Sequence, residues 1–138
     1  LEKDLLNIIS SEAYTPNYKS FVTINKWMNE GVLLDSNITP RSLATQVKQL
    51  VSNENELNSL GYLLLTQNFK KEALTIFRIN ANLYPESANI LSSLGEGYLK
   101  NGNSEKAVQV LENCLALAKD PALIKEILPL LYQAKGIK

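Results

Sequence analysis

No histidine occurs in the 138 residues, and there is one cysteine, one methionine and one tryptophan. Without histidine the Ser-His-Asp and Cys-His arrangements are gone, and so is the commonest metal ligand. A single cysteine leaves no zinc cluster and no internal disulfide. Net charge is missing too: 14 Lys and Arg balance 14 Asp and Glu, so no long-range field draws the chain to nucleic acid or anionic lipid. No apolar run approaches the ~20 residues of a membrane span. Carboxylates are scattered, and Glu54 with Glu56, or Glu30 with Asp35, read as solvated charges. Asn37-Ile38-Thr39 matches a glycosylation acceptor only in form, because Pro40 follows at once. The chain therefore reads as non-catalytic, with no cofactor, no metal, no nucleic acid and no membrane among its expected partners.

What is present is a stretch that is written twice. Leu57-Asn58-Ser59-Leu60-Gly61 returns as Leu91-Ser92-Ser93-Leu94-Gly95, and the same offset of 34 residues carries Asn55 to Asn89, Leu65 to Leu99, Ala73 to Ala107 and Leu83 to Leu117. A period of that length signals a helical repeat. Leu57, Leu60, Gly61 and Leu64 share one face at about 100° per residue, as do Leu91, Leu94, Gly95 and Tyr98. The turn signals Gln67-Asn68 and Asn101-Gly102 follow. A second helix then carries Ala73, Ile76, Phe77 and Asn80, matched by Ala107, Val110, Leu111 and Cys114. Glycine inside a helix costs about 1 kcal/mol relative to alanine. Gly61 and Gly95 are thus expected to permit close helix approach, with Ala73 and Ala107 opposite. Cys114, on a buried stripe, reads as a small core residue, and Gly95-Glu96-Gly97 as helix packing rather than a phosphate loop.

The flanks are read from capping and spacing. Leu1, Leu5, Ile8 and Ile9 outline a short helix, and Thr15-Pro16 starts another. Along that second helix Tyr18, Phe21, Ile24, Trp27 and Met28 recur until Gly31 ends it. Thr39-Pro40 opens a third helix with Leu43, Val47, Leu50 and Val51, ending near Ser52. This region shows no readable repeat. Asn53 with Glu56 looks like a capping box for the helix that follows. Asp120-Pro121 starts a closing helix with Leu123, Ile124, Ile127, Leu128 and Leu131 as its apolar positions. Lys125, Glu126, Gln133 and Lys135 form its wet face, and Pro129 is expected to kink or break it. The divisions are 1–53, then repeats at 54–87 and 88–119, then 120–138. The opening Leu1-Glu2-Lys3, without methionine or signal peptide, implies a piece of a longer protein.

Leu60-Gly61, Ala73, Phe77 and Pro85, then Leu94-Gly95, Tyr98, Ala107 and Leu111, resemble the tetratricopeptide repeat. Two departures stand out: Leu64 where the second copy has Tyr98, and Pro121 two residues later than Pro85 implies. The resemblance implies an all-α, right-handed stack of antiparallel helix pairs, with extra N-terminal helices and a C-terminal capping helix. It also implies a concave face that receives a protein, a peptide or a helix. On that face fall Asn55, Asn58, Tyr62 and Thr66, then Asn89, Ser92, Glu96 and Lys100, with Tyr62 as the expected anchor. Lys100 is the single basic residue of the row, which disfavours the clamping of an acidic tail. Residues 54 to 117 are also similar to repeats appended behind bacterial serine hydrolases, of the α/β-hydrolase esterase and β-lactamase-like kinds. That likeness implies an alternative, a structural or dimerising appendage using Phe21, Trp27 and Met28, with any active site outside this chain.

Overall fold

The computed structural model describes residues 19–137. The expected helix at Leu1–Ile9 and the Thr15-Pro16 start lie outside the described residues. Among the described residues the chain is all-helical, with no strand. Its elements are α1 (Ser20–Glu30), a 3-10 turn (Val32–Leu34), α2 (Pro40–Val47), α3 (Glu54–Thr66), α4 (Lys70–Leu83), α5 (Ala88–Lys100), α6 (Ser104–Leu117) and α7 (Pro121–Lys135).

Helix ends follow local chemistry. Gly31 and Gly136 close α1 and α7 in the left-handed region, at φ 74° and 73°. Thr39, Asn53, Ser87, Asn103 and Asp120 cap the helices that follow them by accepting a first-turn N–H. Links of three residues, 67–69 and 101–103, are too short for anything but reversal, so α3/α4 and α5/α6 run antiparallel. The two reversals are built alike. Asn68 and Gly102 take φ 67° and 76°. The N–H of Phe69 donates to Leu64 O at 2.8 Å, and that of Asn103 to Tyr98 O at 2.9 Å. Deeper in each pair the same position of the second helix holds the first residue of the first: Asn80 Nδ2 donates to Glu54 O, and Cys114 Sγ to Ala88 O, both at 2.9 Å.

The 34-residue spacing extends further than the sequence signature. First helices begin at Ser20, Glu54 and Ala88, and α7 follows at Pro121. The N-terminal segment therefore carries a first helix in register but not its mate, because α2 begins at Pro40 rather than 34 residues before Lys70. Its signature is unreadable for a physical reason: Trp27 stands where Gly61 and Gly95 stand, and α1 and α2 do not pack closely along their length as the later pairs do.

The core runs through all the pairs. Phe21, Ile24, Trp27 and Met28 of α1, the four-residue stripes of α3 and α5, Ala73, Ile76 and Phe77 of α4, Ala107, Leu111 and Cys114 of α6, and Ile127 and Leu131 of α7 are buried. The glycines act as expected but on other partners. A β-carbon at Gly61 would run into the Phe77 ring, and one at Gly95 into Leu111, rather than Ala73 or Ala107. Gly97 faces the other side of the same ring, with its would-be β-carbon 2.9 Å from Phe77 Cδ2.

Four expectations are corrected. α2 ends at Val47 rather than near Ser52, because the N–H groups of Leu50 and Val51 both turn back to Val47 O, at 2.8 and 3.1 Å. Glu56 is not a solvated charge: it is fully buried, and its carboxylate accepts from Ser20 Oγ and from the Ser52 N–H at 3.1 Å. The capping box is correspondingly absent, with Asn53 Oδ1 taking the N–H of Asn55 instead. Of the kink or break expected at Pro129, the break does not occur: α7 runs continuously from Pro121 to Lys135, and the proline is exposed, so its ring and the freed carbonyl side of the helix face solvent. The two exit turns do differ as expected. The Ser87 N–H donates to Tyr84 O around Pro85, whereas Ala118 and Asp120 lead out extended.

Candidate functional site

The first helices set the eight residues of the expected face at different depths. Asn55, Thr66, Asn89 and Lys100 are exposed, Asn58, Tyr62 and Glu96 are half-buried, and Ser92 is buried. Ser92 sinks because α5 has neighbours on more sides than α3, so its hydroxyl does not face outward as expected. Thr66 turns its hydroxyl inward, donating to Leu63 O at 2.7 Å.

Tyr62 and Glu96, one repeat apart, meet directly: the phenol donates to Glu96 Oε1 at 3.0 Å. The ring stands edge-on to Phe77, with centroids 5.1 Å apart and an interplanar angle of 64°. Burial pushes the Tyr62 phenol up to about 12, the Ser93 hydroxyl opposes this, and the charges of Glu96 and Glu126 add to it. Tyr62 is thus a wall of the face, with its hydroxyl engaged, rather than a free anchor. One turn earlier, Asn58 keeps a buried side-chain oxygen without a donor.

Two cavities flank this row. One, of ≈ 380 Å³, gathers the N-terminal ends of the three first helices and is lined by Glu54, Asn89, Asp120, Ala122, Leu123 and Glu126. The other, of ≈ 540 Å³, lies at the opposite ends, where Lys100 joins Lys70 and Lys71. Lys100 is the single basic residue of the row itself, and α4 adds Lys70 and Lys71 to the walls of this adjoining cavity. A helical wheel of the first helices could not show these residues, because Lys70 and Lys71 belong to the second helix. They are brought there by Asn101, whose Nδ2 donates to Lys70 O at 2.9 Å.

Other expected residues are placed by burial. Phe21, Trp27 and Met28 lie in the core, so they offer no docking surface. Cys114 is buried and its thiol is pushed up to about 11 by that burial. No helix among the described residues is long and apolar enough to cross a membrane. No group of three His, Cys, Asp or Glu among them could hold a metal. Compared with known proteins, the chain matches no family model, no curated protein and no solved structure.

Proposed function

We propose that this chain is a protein-interaction module without catalysis of its own, a right-handed tetratricopeptide-type stack whose first-helix face receives an extended peptide or a helix of a protein partner. The observation that supports it most is the duplicated geometry of the helix pairs, which sets Asn55 and Asn89 at equivalent exposed positions two turns before the Tyr62–Glu96 bond. Exposed amides offer both donors and acceptors, as an extended backbone requires. A structural or dimerising appendage of a larger bacterial hydrolase remains the alternative, but it needs a surface other than Phe21, Trp27 and Met28.

A displayed peptide library panned on the full chain, followed by calorimetry, tests the reading. Asn89→Arg is expected to weaken a selected peptide by at least about tenfold, since a long charged side chain then fills the face. Glu105→Arg, exposed on α6, is expected to leave it unchanged. An unmodified ligand makes few ion pairs there, so added salt should matter little. Equal binding by both variants would remove the first-helix face as the site.

A further inference from the structure

The cavity at the reversal between α3 and α4 carries a concentration of positive charge. Lys70, Lys71 and Lys100 line it, and Glu72 is the one carboxylate among its walls. All three lysines are exposed and none forms an ion pair among the described residues, whereas Glu72 is buried and already has a partner. The hydrogen bond from Asn101 Nδ2 to Lys70 O fixes the two backbones from which these side chains extend. Like charges gathered this way repel one another, and a bound anion relieves the repulsion. The chemistry of lysine selects the anion: it is a compact point charge with three donors, lacking the planar fork that arginine offers a carboxylate. A phosphate monoester, with about −1.5 to −2 charge and three acceptor oxygens, matches three ammonium groups.

We propose that this cavity binds a phosphoryl group, and that the group is carried by the peptide on the first-helix face. Lys100 both ends the row on α5 and lines the cavity, so a segment along the row reaches it. The placement on a peptide rests on the reading under Proposed function; phosphoryl binding by the lysines does not. The second cationic cavity, of ≈ 350 Å³ with Arg41 and Lys48, is a natural control. It sits at the C-terminal end of α4, whose carbonyl groups disfavour an anion. Tyr84 in its wall is raised by burial and by the charges of Glu56 and Glu54.

The test titrates the ¹⁵N-labelled full chain with sodium phosphate against sodium chloride at matched ionic strength. Saturable shifts are expected at the amides of Lys70, Lys71 and Asn101, with those of Arg41 and Lys48 unmoved. The double variant Lys70→Gln/Lys71→Gln, checked for an unchanged melt, is expected to bind phosphate at least about tenfold more weakly, as charge-assisted bonds are lost. Equal shifts around Arg41, or shifts reproduced by chloride, overturn the site. A second arm compares a phosphoserine peptide selected for binding with its unphosphorylated form. Phosphorylation is expected to tighten binding by about tenfold in the parent protein and not in the double variant, while Asn89→Arg weakens both forms. Phosphate binding without any effect of peptide phosphorylation overturns the peptide assignment, as does tighter binding of a single-stranded oligonucleotide. If Asn89→Arg weakens neither form, it is the first-helix reading that fails, while the phosphate titration still decides the cavity.

Discussion

Phe77 is held between two glycines of different helices, Gly61 of α3 and Gly97 of α5, with Tyr62 against its edge. In the second copy Leu111 occupies the equivalent place beside Gly95. The difference matters for substitution. A rigid ring with a glycine against each of its two long edges has little room to move, whereas a leucine side chain can change rotamer. Gly61→Ala is therefore expected to destabilise by about 1–3 kcal/mol through overpacking, despite alanine's advantage of about 1 kcal/mol in a helix. Gly95→Ala should cost less. Denaturant melts of the two variants check the order, and adding Phe77→Leu to Gly61→Ala should recover part of the loss. If Gly61→Ala is as stable as the parent, close approach does not explain this glycine. At this scale the sequence was informative about where small residues sit and misleading about what they face. Spacing placed Gly61 and Gly95 on the buried stripe, but a wheel of one helix cannot say which side chain of the next one points into the gap.

Elements were legible where caps and periodicity agreed, as for α3 to α7, and less so where tertiary bonds took over. Glu56 is the clearest case. Its position three residues after Asn53 suits a capping box, yet the carboxylate instead ties Ser20 at the start of α1 to the Ser52 backbone. That choice depends on a residue 36 positions away, which no local pattern contains. Tyr62 shows the same link between helices and carries a pH consequence. Its folded pKa of about 12 exceeds the ordinary 10.0, mainly through burial. Such a phenol keeps its proton in the native chain while the unfolded chain loses it. Stability from this source is full below pH 10 and falls as pH rises from 10 towards about 12. Tyr62→Phe is expected to flatten the urea midpoint across that range, leaving the smaller slope due to Tyr84, which is raised in the same direction. Superimposable profiles for parent and variant would assign the alkaline loss elsewhere.

Among the described residues, close contacts join α3 to α7 mainly to their neighbours in sequence order, whereas α2 packs on α4 rather than on α1 or α3. The candidate face was legible as a row of exposed amides, but its lysine and carboxylate margins were not. They arise only when helix ends from different pairs are brought together. An array of this kind has stability that varies along its length, because terminal elements lose one set of neighbours. α4 is covered by the 3-10 turn, α2, α3 and α5, whereas α7 packs chiefly on α5 and α6 among the described residues. Native-state hydrogen exchange is therefore expected to be slowest in α4 and α5 and faster in α7. Leu131→Ala should sharpen that gradient. The side chain is buried where α7 meets the preceding pair, and its truncation should cost about 2–5 kcal/mol. The loss should appear first as faster exchange across 121–135, with the amides of α4 following only when the whole chain unfolds. Equal acceleration of exchange in α4 and α7 would mean that the pairs unfold as one unit, and the neighbour-by-neighbour account of stability would have to be abandoned.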